Sequence, residues 1–122
     1  MRRVDQVRRR TFSKMSLDAA DIAFANELFS ALPDLTTRKM FGGLGIYSEG
    51  AIFALMRSDA ALLIKAKDGP FAERLAALGC RKWTTTRKNG SMSAMPYWSM
   101  PDAALDDPED ACALARDALA AL

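Results

Sequence analysis

The segment RKMFGGLGIYSEGAIFALMRSDAALLIK, residues 38–65, decides the fold. It is the longest run of strand character in the chain, is broken only by turn residues, and holds four of the seven glycines. Residues 36–47 read as one extended segment interrupted at Gly42-Gly43, since glycines inside a strand pattern signal a bulge or the close approach of another backbone. Ser48-Glu49-Gly50 supplies a turn. Residues 51–57 form a second strand with Ile52, Phe53, Leu55 and Met56 filling both faces. Ser58-Asp59 is a short connection, and residues 60–66 form a third strand. Strands joined this tightly pair antiparallel, because parallel neighbours need long crossovers.

Downstream, Lys67-Asp68-Gly69-Pro70 ends the meander, and Pro70 suits the first turn of a helix. Phe71, Leu75 and Leu78 recur at helical spacing, with Gly79 as the C-terminal cap. Residues 83–88 form a threonine-rich fourth strand. Asn89-Gly90 is the strongest hairpin signal in the chain, predicting a two-residue type I′ turn. Residues 91–100 form the fifth strand. Pro96 has no N–H to donate, which places this strand at an edge or bulges it there. Prolines and aspartates at 101–102 and 106–108 close the sheet, and an acid-led, alanine-rich helix runs from Pro108 to Leu122. Upstream, Ser16 caps a helix whose apolar face is Ile22, Ala25, Leu28, Phe29 and Leu32. Pro33 stops it at Leu32. The expected architecture is a two-layer α+β fold, a five-stranded antiparallel sheet with three helices on one face, in the order α-β-β-β-α-β-β-α.

A chain of 122 residues is one domain, large enough to bury a single core. No apolar run reaches the ~20 residues of a membrane-spanning helix. The formal charge of +2 is unevenly spread. Residues 1–14 carry six basic residues and one acid, whereas 15–122 carry eleven basic and fourteen acidic. Residues 1–14 therefore read as a basic, disordered leader ahead of a domain spanning 15–122. Residues 2–14 form a basic arm of the kind that binds nucleic acid through phosphates.

The side chains offer little catalytic chemistry. The chain has no histidine, and its two cysteines, Cys80 and Cys112, are too few for a disulfide framework or a zinc site. Free thiols point to a reducing, cytoplasmic setting. The glycines of Phe41-Gly42-Gly43-Leu44-Gly45 invite a phosphate-loop reading, but they lead into a strand rather than a helix N-terminus. Arg38 and Lys39 are candidate anion contacts. As strand neighbours they point to opposite faces and cannot form one clamp. Lys65 and Lys67 share a face by the same alternation. The acids at 106, 107, 109 and 110 read as helix N-terminal capping. No metal or cofactor site is expected. Met92, Met95, Tyr97, Trp98 and Met100 make an aromatic and methionine-rich strand suited to partner binding if exposed. The candidate interaction residues are thus Arg38, Lys39, Phe41, Gly42, Gly43, Tyr97 and Trp98.

At RKMFGGLGIYSEGAIFAL (38–55), and again at MPYWSMPDAALDDPEDACALARDAL (95–119), the sequence resembles the N-terminal domain of the TfoX/Sxy family of competence regulators. The likeness runs from about Leu17 to Leu122. It implies an α+β fold similar to type III secretion chaperones, and transcriptional regulation of DNA uptake through protein partners, a transcription regulator among them. Longer family members carry a second, C-terminal domain, so the chain is expected to be a stand-alone copy. Residues 62–65 read Leu-Leu-Ile-Lys where the family often has an aromatic. The expectation is a cytoplasmic, non-enzymatic regulatory or adaptor domain that binds protein partners and forms a homodimer. The alternatives are a nucleic-acid-binding protein using the basic arm with Arg38 and Lys39, and a small-molecule-binding domain.

Overall fold

A computed structural model describes residues 17–40, 42–86 and 88–122. The expected leader, the Ser16 cap and Phe41 lie outside these. Helix α1, Ala19–Leu28, begins at Asp18, whose carboxylate accepts the Asp21 N–H at 3.0 Å, while the Asp21 carboxylate accepts the Asp18 N–H at 3.1 Å. This reciprocal capping box satisfies two of the orphan donors of the first turn. The helix ends at Leu28, four residues earlier than Pro33 alone implies. The chain then tightens into short-range bonds, Ser30 N–H to the Glu27 carbonyl and Leu32 N–H to the Phe29 carbonyl, which keep Phe29 and Leu32 buried on the same face.

Strands β1 (Leu35–Met40), β2 (Gly43–Ser48), β3 (Ala51–Met56) and β4 (Leu62–Lys65) form an antiparallel meander. The expected single bulged strand over 36–47 is instead a hairpin. Met40 pairs with Gly43, and Gly42 takes φ +78°, a left-handed conformation that reverses the chain at little cost only for glycine. Among the described residues the sheet therefore has six strands rather than five. The bulge lies in β3: Ile46 pairs with Ala54 and Tyr47 with Ile52, leaving Phe53 as the extra residue. Fully buried, Phe53 meets Phe29 edge-on at 5.0 Å between ring centroids. Burying each such ring contributes about 1.5–3 kcal/mol.

Helix α2, Pro70–Ala77, ends in a Schellman motif: Cys80 N–H donates to the Leu75 carbonyl and Gly79 N–H to the Ala76 carbonyl, both at 3.0 Å. Strands β5 (Lys82–Thr86) and β6 (Met92–Ser99) follow, and the sheet order is β1-β2-β3-β4-β6-β5. The β6 strand is internal, so Pro96 does not mark an edge. It lies instead in a bulge, since Lys82 pairs with Trp98 but Thr84 with Ala94. The hairpin at Asn89-Gly90 is also longer than expected. Thr86 pairs with Met92 across a five-residue connection, in which the Asn89 side chain accepts the Ser91 N–H at 2.9 Å. Among the described residues, a turn with both central residues at positive φ is Glu49-Gly50 (+52° and +81°), between β2 and β3.

After β6 come a short helix α3, Asp102–Leu105, and the helix α4, Pro108–Ala120, making four helices among the described residues rather than three. Asp107 caps α4 by accepting the Glu109 N–H at 3.0 Å. The helices cover one face of the sheet. The core joins Phe29 and Leu32, Leu44 and Ile46, Met56 and Ile64, Phe71 and Leu75, and Leu114 and Ala115 in one cluster. No helix among the described residues is long and apolar enough to cross a membrane.

Candidate functional site

The alternation that sends Leu44, Ile46, Met56 and Ile64 into the core sends their neighbours to the opposite face. Across the strands, Arg38 pairs with Gly45, Gly45 with Leu55, Leu55 with Leu63, and Lys65 with Tyr97. Leu63 and Tyr97 are buried although they stand outside the main core cluster. They are the floor of a second apolar surface, on the face away from the helices.

That face holds a groove of about 500 Å³ lined by Met40, Gly43, Leu55, Arg57, Trp83, Met95 and Tyr97, among others. Two glycines shape it. A Cβ at Gly43 would collide with the Met56 carbonyl oxygen, so β2 and β3 approach here at a spacing only glycine allows. A Cβ at Gly45 would lie 2.9 Å from Met40 Cε, 3.1 Å from Tyr47 Cε1 and 3.3 Å from Ile52 Cδ1. Those three side chains close over the bare backbone and extend the apolar floor toward β1.

The rim is charged. Arg57 donates to Asp59 through two bonds, Nη2 to Oδ2 at 2.7 Å and Nε to Oδ1 at 3.2 Å, and its guanidinium lies 5.9 Å over the Trp83 ring. The Arg57 bonds hold the Asp59 carboxyl below the usual carboxylate range. Arg38 lies 5.9 Å over the Tyr47 ring. Burial, with the nearby Tyr47, pushes the Tyr97 phenol up, so it stays neutral at physiological pH.

The sequence profile of the TfoX N-terminal domain matches residues 27–122, from the last turn of α1 to the chain's end. The chain belongs to the TfoX N-terminal domain family. A search of the curated proteins finds no match. The TfoX family is regulatory and non-catalytic, and is linked to competence regulation.

Within this TfoX domain the candidate residues read from sequence do not form one site. Arg38 and Tyr97 lie on the open face, and Gly43 is buried at the groove. Lys39 is on the other face and borders a smaller cleft of about 320 Å³ with Leu17, Ile22 and Gly42. Trp98 packs toward the core, its indole N–H buried without a hydrogen-bond partner among the described residues. The residues missed are Leu55, Arg57, Trp83 and Met40. Their signal was the apolar character of both faces of β3, which implies that the second face also has something to bury. Burial, reinforced by Asp102, pushes the Cys80 thiol up, and Cys112 is buried with Sγ 3.5 Å from the Leu28 carbonyl. Among the described residues no group of three or more cysteines and acids could hold a metal ion.

Proposed function

We propose that this domain is a non-enzymatic adaptor acting through protein contacts in competence-type transcriptional regulation in the cytoplasm, and that the open sheet face is its contact surface. The observation that carries the reading is the groove floored by Leu55 and Tyr97. A single-layered sheet face this apolar, with a methionine- and aromatic-lined concavity, is the kind of surface that marks protein interaction sites. The chain has no histidine to serve as a general base, and the environment of Cys80 disfavours its thiolate. Strands β1 and β5 end the sheet, so a homodimer formed by strand addition would use one of them.

A second reading, nucleic-acid binding, draws on the two arginine–aromatic pairs of the same face, Arg38 with Tyr47 and Arg57 with Trp83. Affinity purification of the tagged full chain from native cells, in parallel with Leu55→Asp, separates the two. The adaptor reading expects a protein partner retained by the native chain and lost from the variant. Recovery of DNA instead, released steeply with salt, overturns it.

A further inference from the structure

We propose that the groove's partner is an acidic segment of another protein that inserts a bulky apolar side chain beside Tyr97; this rests on the adaptor reading above. The charges of the domain are sorted by layer. Residues 18–28, 70–77 and 101–122, which hold the four helices, contain ten acidic residues and two basic ones, Arg74 and Arg116. The open sheet face has the opposite sign. Arg38 and Lys65 stand on it, and neither forms an ion pair among the described residues. Arg57 joins them at the rim, paired with Asp59. An acidic segment is therefore drawn to the sheet side and repelled from the helical side.

The same charges argue against the other occupants. A face-to-face dimer is isologous and would set Arg38 and Lys65 of both copies against one another in a desolvated interface. The chain's own residues 2–14 carry the sign of the face itself. A copy docking its acidic helical layer onto the next copy's sheet would use opposite sides of the domain, an arrangement that propagates rather than closes. Concavity and composition favour one or two inserted apolar anchors over a flat stack of bases. Met40 and Met95 supply adaptable walls, Leu55 and Tyr97 the floor, and Tyr97 is itself too buried to stack on a base.

Fluorescence anisotropy on the full chain tests this with three labelled probes: a short peptide of aspartate and glutamate interspersed with leucine and tryptophan, the same peptide with lysine in place of its acids, and a single-stranded oligonucleotide. The expected result is binding of the acidic peptide alone, weakened about tenfold in Arg38→Glu/Lys65→Glu and by added salt. Leu55→Asp is expected to abolish it. Both charge reversals are on the surface, and circular dichroism checks that they fold. Equal binding of the lysine peptide, lost in Leu55→Asp, overturns the acidic partner but keeps the adaptor surface. Oligonucleotide binding lost in Leu55→Asp overturns both. Binding of no probe, or acidic-peptide binding indifferent to all three substitutions, removes this face as the site. A concentration-dependent dimer in light scattering that Leu55→Asp dissolves assigns the groove to a second copy and overturns the proposal.

Discussion

Leu63 on β4 and Tyr97 on β6 are diagonal neighbours across one antiparallel pair, and both are buried on the sheet face that the helices leave open. Neither belongs to the core cluster beneath the helices. Leu63→Ala should destabilise the domain by about 2–3 kcal/mol, at the low end for a buried leucine because a single-layered face collapses more easily than a core. Urea unfolding followed by far-ultraviolet circular dichroism measures it.

Gly43→Ala places a methyl group against the Met56 carbonyl, a contact that backbone cannot relieve by changing rotamer. We expect a loss of about 1–3 kcal/mol from overpacking, visible as a lower midpoint in urea at unchanged slope. Gly50→Ala, in open space at φ +81°, should cost no more than about 1–2 kcal/mol of left-handed strain.

Ser48 is buried and donates its hydroxyl to the Pro33 carbonyl at 2.6 Å, tying the end of β2 to the segment that leaves α1. Ser48→Ala leaves that carbonyl unpaired and should cost about 1–2 kcal/mol. Amide exchange would show the loss as faster opening at Glu49, whose N–H donates to the neighbouring Asp34 carbonyl.

Asp59 gives a pH dependence of defined sign. The Arg57 bonds lower its folded-state pKa below the unfolded value. Its stabilising contribution is therefore fully present at neutral pH, and is lost as pH falls below about 4 through the folded pKa. The difference in melting temperature between Asp59→Asn and the native chain should be small at pH 7, because the pair is solvent-exposed, and should shrink as pH falls through the lowered folded pKa.

The thiols should differ in reactivity. Cys80 is half-buried with a raised pKa and should react with iodoacetamide slowly at pH 7 and faster above pH 9. Cys112 lies in the core under α1 and should be protected until the domain unfolds, so its labelling rate in native buffer reports global opening.

How far the sequence is legible depends on what each residue does locally. The antiparallel meander, the Pro70 start and Gly79 end of α2, and the capping role of the acids before α4 can all be read from residues that act on their own backbone. Gly42-Gly43 misleads because two adjacent glycines serve different ends, Gly42 for a positive φ and Gly43 for a close approach. A pattern reading merges these into one bulge. Pro96 admits an edge or a bulge, and only the pairing of β6 with both β4 and β5 decides it. The candidate site is less legible still. Tyr97 and Trp98 are adjacent in sequence and diverge to opposite faces. The groove around Tyr97 draws Met40 from β1, Leu55 from β3 and Trp83 from β5, residues that only the strand order brings together.

The contact between Gly43 and the Met56 carbonyl sets the distance between two main chains at the mouth of the groove. The opening is therefore gauged by backbone, as a jig holds a workpiece, while its lining is made of exchangeable side chains. Relatives that keep the glycine could vary the methionines and aromatics to suit different partners without altering the aperture. Losing the glycine would shift the frame under every one of them at once.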